Sequence, residues 1–322
     1  MQLCLMIEGQ EGVTWPQWLG LAQACEEHAI PTLFRSDHYQ NLDPDGRHPE
    51  RGSLDAWGTL NALSAVTSTL RFGTMVSPAT FRHPSVLAKL VATADHVSDG
   101  RIELGIGAGW HQREHDAYGF PFPSTAVRMD ILEEQLQIVF GNWGVESFSF
   151  AGRHYTLRDL DAQPKPVQRP RPPVIMGGTG GPRSAALAAR FADEYNTPFP
   201  TLEEIAERKG RISEACERVG RDPIPFSVMT GVVLGTDAAD LRDRASQLGA
   251  RNLLSRVRGD DDPEGFLANP PAGWIVGTID QAVEQLTALR EAGVSRVMCQ
   301  QLLHGDLDAV ALLGDEVAPQ LA

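Results

Sequence analysis

With 322 residues, 42% of them hydrophobic, the chain can bury a sizeable core as one large domain or two ordinary ones. A formal net charge of −14 with no compensating Lys/Arg block argues against nucleic acid or an anionic membrane surface as partner. No run of about 18 apolar residues is present to span a bilayer, and the chain opens on the strand-like LCLMI rather than a signal core, so a cytoplasmic protein is expected. Cys4, Cys25, Cys216 and Cys299 share no paired spacing and read as buried reduced thiols, not as disulfides or a metal site.

In chain order, a strand at 3–7 is followed by a helix over 14–28, where Thr14 and Gln17 fit a capping box. A second strand at 32–36 ends on Asp37 and His38. The third, 71–76, leads into a helix over 84–97 whose Val86, Leu87, Leu90, Val91, Ala94 and Val97 share one face. The fourth is 101–106. Residues 146–173 then combine the hairpin-like FSFAGRHYTL with the Pro-rich QPKPVQRPRPP and read as an insertion. Strands five to eight fall at 173–176, 194–197, 226–234 and 295–300, and the acidic, Gly/Pro-containing stretch 258–273 reads as a mobile loop. Either excursion is a lid or an inert surface feature.

Eight strands alternating with helices, without a composition break, predict a single (β/α)₈ TIM barrel over 1–322 with an insertion before strand 5; a doubly wound open sheet is the alternative. In a barrel the residues at the C-terminal strand ends form the active site. Asp37 and His38 there make a carboxylate–imidazole pair able to exchange protons, or a loop cap and a surface histidine. After strand 5, Gly177, Gly178 and Thr179 lead through Gly180 and Gly181 to Pro182 and Arg183. The glycines let backbone N–H groups approach an anion, the helix N-terminus adds positive potential, and Arg183 adds a fixed cation. A turn with no ligand is the competing reading. Met6, Met75, Met176, Met229 and Met298 lie in strands, as pocket wall or core filler.

The segments SDHY (36–39), FGTMVSPATFRHPSVLAK (72–89), RIELGIGAGWHQREHDAYGFPFP (101–123), GGTGGPRSAALAARFADEYN (177–196) and VGTIDQAVEQL (276–286) together resemble the luciferase-like monooxygenase superfamily, in its branch using the deazaflavin coenzyme F-420. The resemblance implies a cytoplasmic homodimeric oxidoreductase that passes hydride between coenzyme F-420 and a small-molecule substrate, with FMN and dioxygen as the alternative chemistry. It implies a non-prolyl cis peptide between Met75 and Val76 behind the ring, the phosphate at Gly177, Gly178 and Thr179, and Asp37 at the ring's carbonyl edge. Gly107 and Trp110 are further expected contacts, and Arg183 or Lys89 would meet the acidic tail. His38 is the expected proton carrier. Sugar-phosphate dehydrogenases of the superfamily carry a carboxylate after the fourth-strand glycines, where this chain has Trp110 and His111. Trp110 then reads as the wall of a pocket for a flat or apolar substrate, or as a structural rim residue, and His111 as a second proton carrier. His111, Glu114 and His115 also spell H-x-x-E-H, the pattern of inverted zinc peptidases, which is the rival class of function.

Overall fold

The computed structural model describes residues 1–42, 48 and 51–321, with Arg256 by its backbone alone. Eight parallel strands form the barrel: β1 (Gln2–Ile7), β2 (Thr32–Arg35), β3 (Arg71–Thr74), β4 (Ile102–Gly107), β5 (Val174–Gly177), β6 (Glu194–Pro198), β7 (Phe226–Gly235) and β8 (Arg296–Gln300). Each pairs with its neighbours in chain order, and β8 closes on β1 with Leu3 opposite Val297. All eight expected strands are present. The first six helices are α1 (Trp15–Glu27), α2 (Ala56–Ala65), α3 (Pro84–Ser98), α4 (Gln112–Tyr118), α5 (Thr125–Trp143) and α6 (Pro182–Phe191). The capping box of Thr14 and Gln17 starts α1.

Successive strand residues face opposite sides, which divides the core in two. Leu3, Leu5 and Ile7 join the layer between strands and helices, with Leu33, Ile102, Leu104 and Val297. Cys4 and Met6 point inward and pack with Phe34, Met75, Ile175 and Met298. Below them, Arg296 of β8 reaches across to Glu103 of β4 and Glu194 of β6, each at 2.8 Å, and fills the N-terminal end of the barrel. Arg71 adds a second cation to Glu103 at 2.8 Å. The four cysteines are free and buried.

The insertion forms a hairpin, Phe148–Ala151 against Thr156–Leu160. It packs on the outside of the barrel: Glu134 of α5 accepts the N–H groups of Arg153, His154 and Tyr155, and the following segment is held to α3 where Asp95 accepts from Gln168. Its described contacts are with the outer helices and the start of α3, where Tyr155 meets Gln135 and His83.

The stretch 258–273 departs from the expected loop. Short helices, Ser255–Arg258 and Pro263–Ala268, fold over a second core of Leu253, Leu254, Phe266 and Trp274. Trp274 packs edge-on against Phe266 and stacks on Phe199, with ring centroids 5.9 and 6.2 Å apart. A strand absent from the sequence reading, Ile275–Thr278, pairs with the outer half of β7 and anchors this unit. Among the described residues no helix is long and apolar enough to cross a membrane.

Candidate active site

The C-terminal strand ends open onto a cavity of about 1180 Å³. At its base the peptide bond between Met75 and Val76 is cis, and both residues line the space. The glycines of neighbouring strands make room for the Val76 side chain. A Cβ at Gly107 would sit 2.9 Å from Val76 Cγ2, and one at Gly177 3.0 Å from Cγ1. At Gly105 a Cβ would also lie 1.9 Å from the Thr74 carbonyl oxygen. The glycine-rich end of β4 thus serves the bulge of its neighbour.

Beyond β5, Gly177, Gly178 and Thr179 line the cavity and lead to the N-terminus of α6. Gly178 has φ 154° and Gly180 φ 69°, conformations that suit glycine. Tyr195 of β6 props the turn from beneath: its hydroxyl accepts the Gly180 N–H at 2.9 Å and meets Ser184 Oγ at 2.9 Å. Pro182 opens the helix, so the first-turn N–H groups of Arg183 and Ser184 have no intrahelical partner and bring the positive end of the dipole to the cavity. The cation expected of Arg183 is already spent. Its side chain lines the cavity but donates to Ala126 O at 2.9 Å and pairs with Asp130 of α5. Lys89 is remote from the site, donating to Gln163 O at 2.5 Å. What this turn offers an anion is therefore backbone N–H groups.

His38 lines the cavity, and its Nδ1 lies 2.7 Å from Glu114 Oε2. Glu114 is wholly buried on α4 and also accepts the backbone N–H groups of Tyr39 and Gln40. Burial alone would push the His38 imidazole down, but the hydrogen bond and charge of Glu114, with the charges of Glu8 and Asp37, hold it above its ordinary value. Burial would raise the Glu114 carboxyl, and its donors, His38 foremost, hold it below the usual range. Nε2 is left as the His38 nitrogen facing the cavity.

Asp37 does not pair with His38 and does not line the cavity, contrary to its expected place at a ring edge. Its carboxylate is buried, bound by Arg82 at 2.5 and 3.0 Å and by Ser77 Oγ at 2.6 Å. It fastens the end of β2 to the segment after β3. His111 is likewise not on the cavity surface. Its ring lies 5.9 Å from His38 and 4.9 Å from Trp110, and burial with the neighbouring His38 charge lowers its pKa. The H-x-x-E-H triplet does not converge: Glu114 turns to His38, while His115 engages Thr80 Oγ1 at 2.6 Å and the His111 carbonyl at 2.8 Å through its two ring nitrogens. Among the described residues no three donor side chains are grouped to hold a metal ion.

One residue on the cavity wall escaped the sequence reading. Glu8, just past β1, accepts from Gln10 at 2.6 Å and from Gln300 of β8 at 2.5 Å and presents a nearly buried carboxylate. Trp110, 62% exposed, lines the opening with its ring 5.6 Å from His38, as its pocket-wall reading requires. Of the strand methionines, Met75 and Met229 line the cavity, whereas Met6, Met176 and Met298 fill core.

A family model described as luciferase-like monooxygenase matches residues 4–296. The chain belongs to that family. It is 34% identical to an F420-dependent glucose-6-phosphate dehydrogenase of Microbacterium testaceum, over 92% of this chain and 90% of that protein. To an FMNH2-dependent dimethylsulfone monooxygenase of Pseudomonas putida it is 28% identical, over 80% of this chain and 76% of the other. The coenzyme F420-dependent tetrahydromethanopterin reductase of Methanopyrus kandleri shares its fold, with a TM-score of 0.81 at 18% identity over the whole of both chains. The family is one of luciferase-like oxidoreductases, and relatives of this chain use F420 or FMN.

Proposed function

We propose that this oxidoreductase passes hydride between coenzyme F-420 and a small organic substrate. The observation that carries the proposal is His38, a cavity-facing imidazole whose proton is regulated by a buried carboxylate at 2.7 Å. The donor set fits a flat ring on a phosphate-bearing tail: a turn that side chains would fill at Gly178, unpaired N–H groups at the start of α6, and an apolar shelf at Met75 and Val76. When bound, the deazaflavin supplies a carbon that takes or returns a hydride.

The chain's own residues do the rest. Gly177, Gly178 and Thr179 hold the phosphate, Val76 supports one ring face, and Trp110 walls the substrate against water. His38 Nε2 takes the proton that a substrate oxygen releases as hydride leaves the adjoining carbon, and returns it in the reverse direction. Glu114 fixes the ring orientation through Nδ1.

FMN-dependent monooxygenation is the second reading, favoured by the same backbone cradle, which would accept either phosphate. Titration of the protein with each coenzyme, followed by tryptophan fluorescence, separates the two. Saturable binding of F-420 with weaker FMN binding is expected, and tight FMN binding with no F-420 response overturns the proposal.

A further inference from the structure

The cavity wall across the ring from the Val76 shelf is apolar. Leu302 follows β8, the strand diametrically opposite β4 in the closed ring, and Phe199, Leu253 and Val257 continue the same wall. This wall has its own foundation. Leu253 belongs to the second core and Phe199 and Leu302 pack against it, with Phe199 stacked on Trp274. Trp110 faces the opening. Glu8, His38 and Gln300 gather at the base, at the ends of β1, β2 and β8, while Arg51, Asn252 and Ser255 are polar members of the remaining lining.

Among the described side chains no unpaired arginine or lysine lines this chamber. Among the described side chains two arginines line the cavity, and both are engaged: Arg51 with the Arg251 carbonyl at 2.8 Å and Glu11 at 3.5 Å, Arg183 with Asp130. Among the described residues the backbone donors at α6 are the remaining anion site, and the coenzyme phosphate takes them on the reading above. A second phosphate or a carboxylate would meet the Glu8 carboxylate in a protein of net charge −14. An apolar body, in contrast, gains from every methylene buried against Phe199, Leu253 and Leu302.

We infer that the substrate is an uncharged, predominantly apolar alcohol or ketone, its single oxygen at His38 and its hydrocarbon body against the wall founded on Trp274. This inference rests on the hydride-transfer reading. In the oxidative direction the alcohol carbon loses hydride, with its electron pair, to the oxidised deazaflavin. The hydroxyl proton goes to His38 Nε2, and the C–O single bond becomes the carbonyl of the ketone. A sugar phosphate, the substrate in the name of one relative, is not accommodated.

The test is a binding series read by tryptophan fluorescence and calorimetry, on the protein alone and with F-420 bound. Its probes are 2-alkanones of increasing chain length and glucose 6-phosphate, with Trp110→Phe as the optical control. Affinity should rise about fourfold per added methylene until the chamber is full, and glucose 6-phosphate should not compete. Val257→Glu, a change at a wall position 38% exposed, should flatten that slope while leaving F-420 affinity unchanged, with thermal melting as the check on folding. A slope near zero in the parent protein, or saturable glucose 6-phosphate binding with F-420 in place, overturns the inference. Alkanone binding without any F-420 response would instead sink the coenzyme reading and leave the apolar chamber standing.

Discussion

His38 and Glu114 meet at 2.7 Å although 76 residues separate them in the chain. The imidazole is held above its ordinary pKa and the carboxyl below its own, so the charged pair has a defined window of pH. Its stabilisation is lost as pH rises through the raised His38 value, and lost again as pH falls through the lowered Glu114 value. Glu114→Gln should therefore move the His38 midpoint toward acid, in the pH–rate profile and in NMR titration of the ring. His38→Ala should lower turnover by about 10²–10⁴-fold with coenzyme affinity retained. An unmoved midpoint in Glu114→Gln would remove the carboxylate from the mechanism.

The packing of Val76 against glycines gives a second test. Gly107→Ala places a methyl 2.9 Å from Val76 Cγ2, and overpacking of this kind costs about 1–3 kcal/mol. Urea denaturation should show that loss together with weaker coenzyme binding. Val76→Ala in the same chain should restore part of the stability, because the two changes act on one contact.

Tyr195 supports the turn after β5, the proposed phosphate site, without lining the cavity. Tyr195→Phe removes the acceptor of the Gly180 N–H, and an unsatisfied buried donor costs about 1–3 kcal/mol. The expected outcome is a lower melting temperature and reduced affinity for coenzyme and for inorganic phosphate alike, measured by calorimetry. Phosphate affinity equal to that of the parent protein would show that the turn keeps its shape without the prop.

At the barrel's lower end a single guanidinium serves Glu103 and Glu194. Burial acts to raise both carboxyls, but Arg296 and Arg71 hold Glu103 below its ordinary value, while Glu194 ends above its own. Arg296→Met leaves buried carboxylates without their shared partner and should cost about 3–5 kcal/mol at neutral pH. Because protonation relieves an unpaired carboxylate, the deficit should shrink as pH is lowered, as chemical denaturation across pH would reveal.

Much of this barrel is legible in the chain. Most barrel strands are short, largely apolar runs closed by glycine or polar residues, β6 being the polar exception, and α3 shows only part of its buried face as helical spacing: Leu87, Val91 and Ala94 are buried, whereas Val86 and Val97 are exposed. The glycines after β5 announce a close backbone approach, and the resemblance points to the Met75–Val76 bond. What stays hidden is made by pairs distant in sequence. Asp37 reads as the neighbour of His38 because it adjoins it, whereas its partner is Arg82, 45 residues on. Glu114 sits inside a metal-like triplet, and only the closed ring turns it toward His38. The second core is invisible because Leu253 and Trp274 lie in connections and Phe266 in a short helix, with no common period, among acidic, glycine and proline residues that read as loop.

The cross-braced charges of Arg296, Glu103 and Glu194 plug the N-terminal end of the barrel, so among the described residues the cavity is approached from the C-terminal strand ends. On the proposed function, coenzyme and substrate would share the opening beside Trp110, and whichever sits deeper would arrive first and depart last. Turnover on such a plan would be governed by the order of traffic, and a product lingering at the entrance would trap the spent coenzyme behind it.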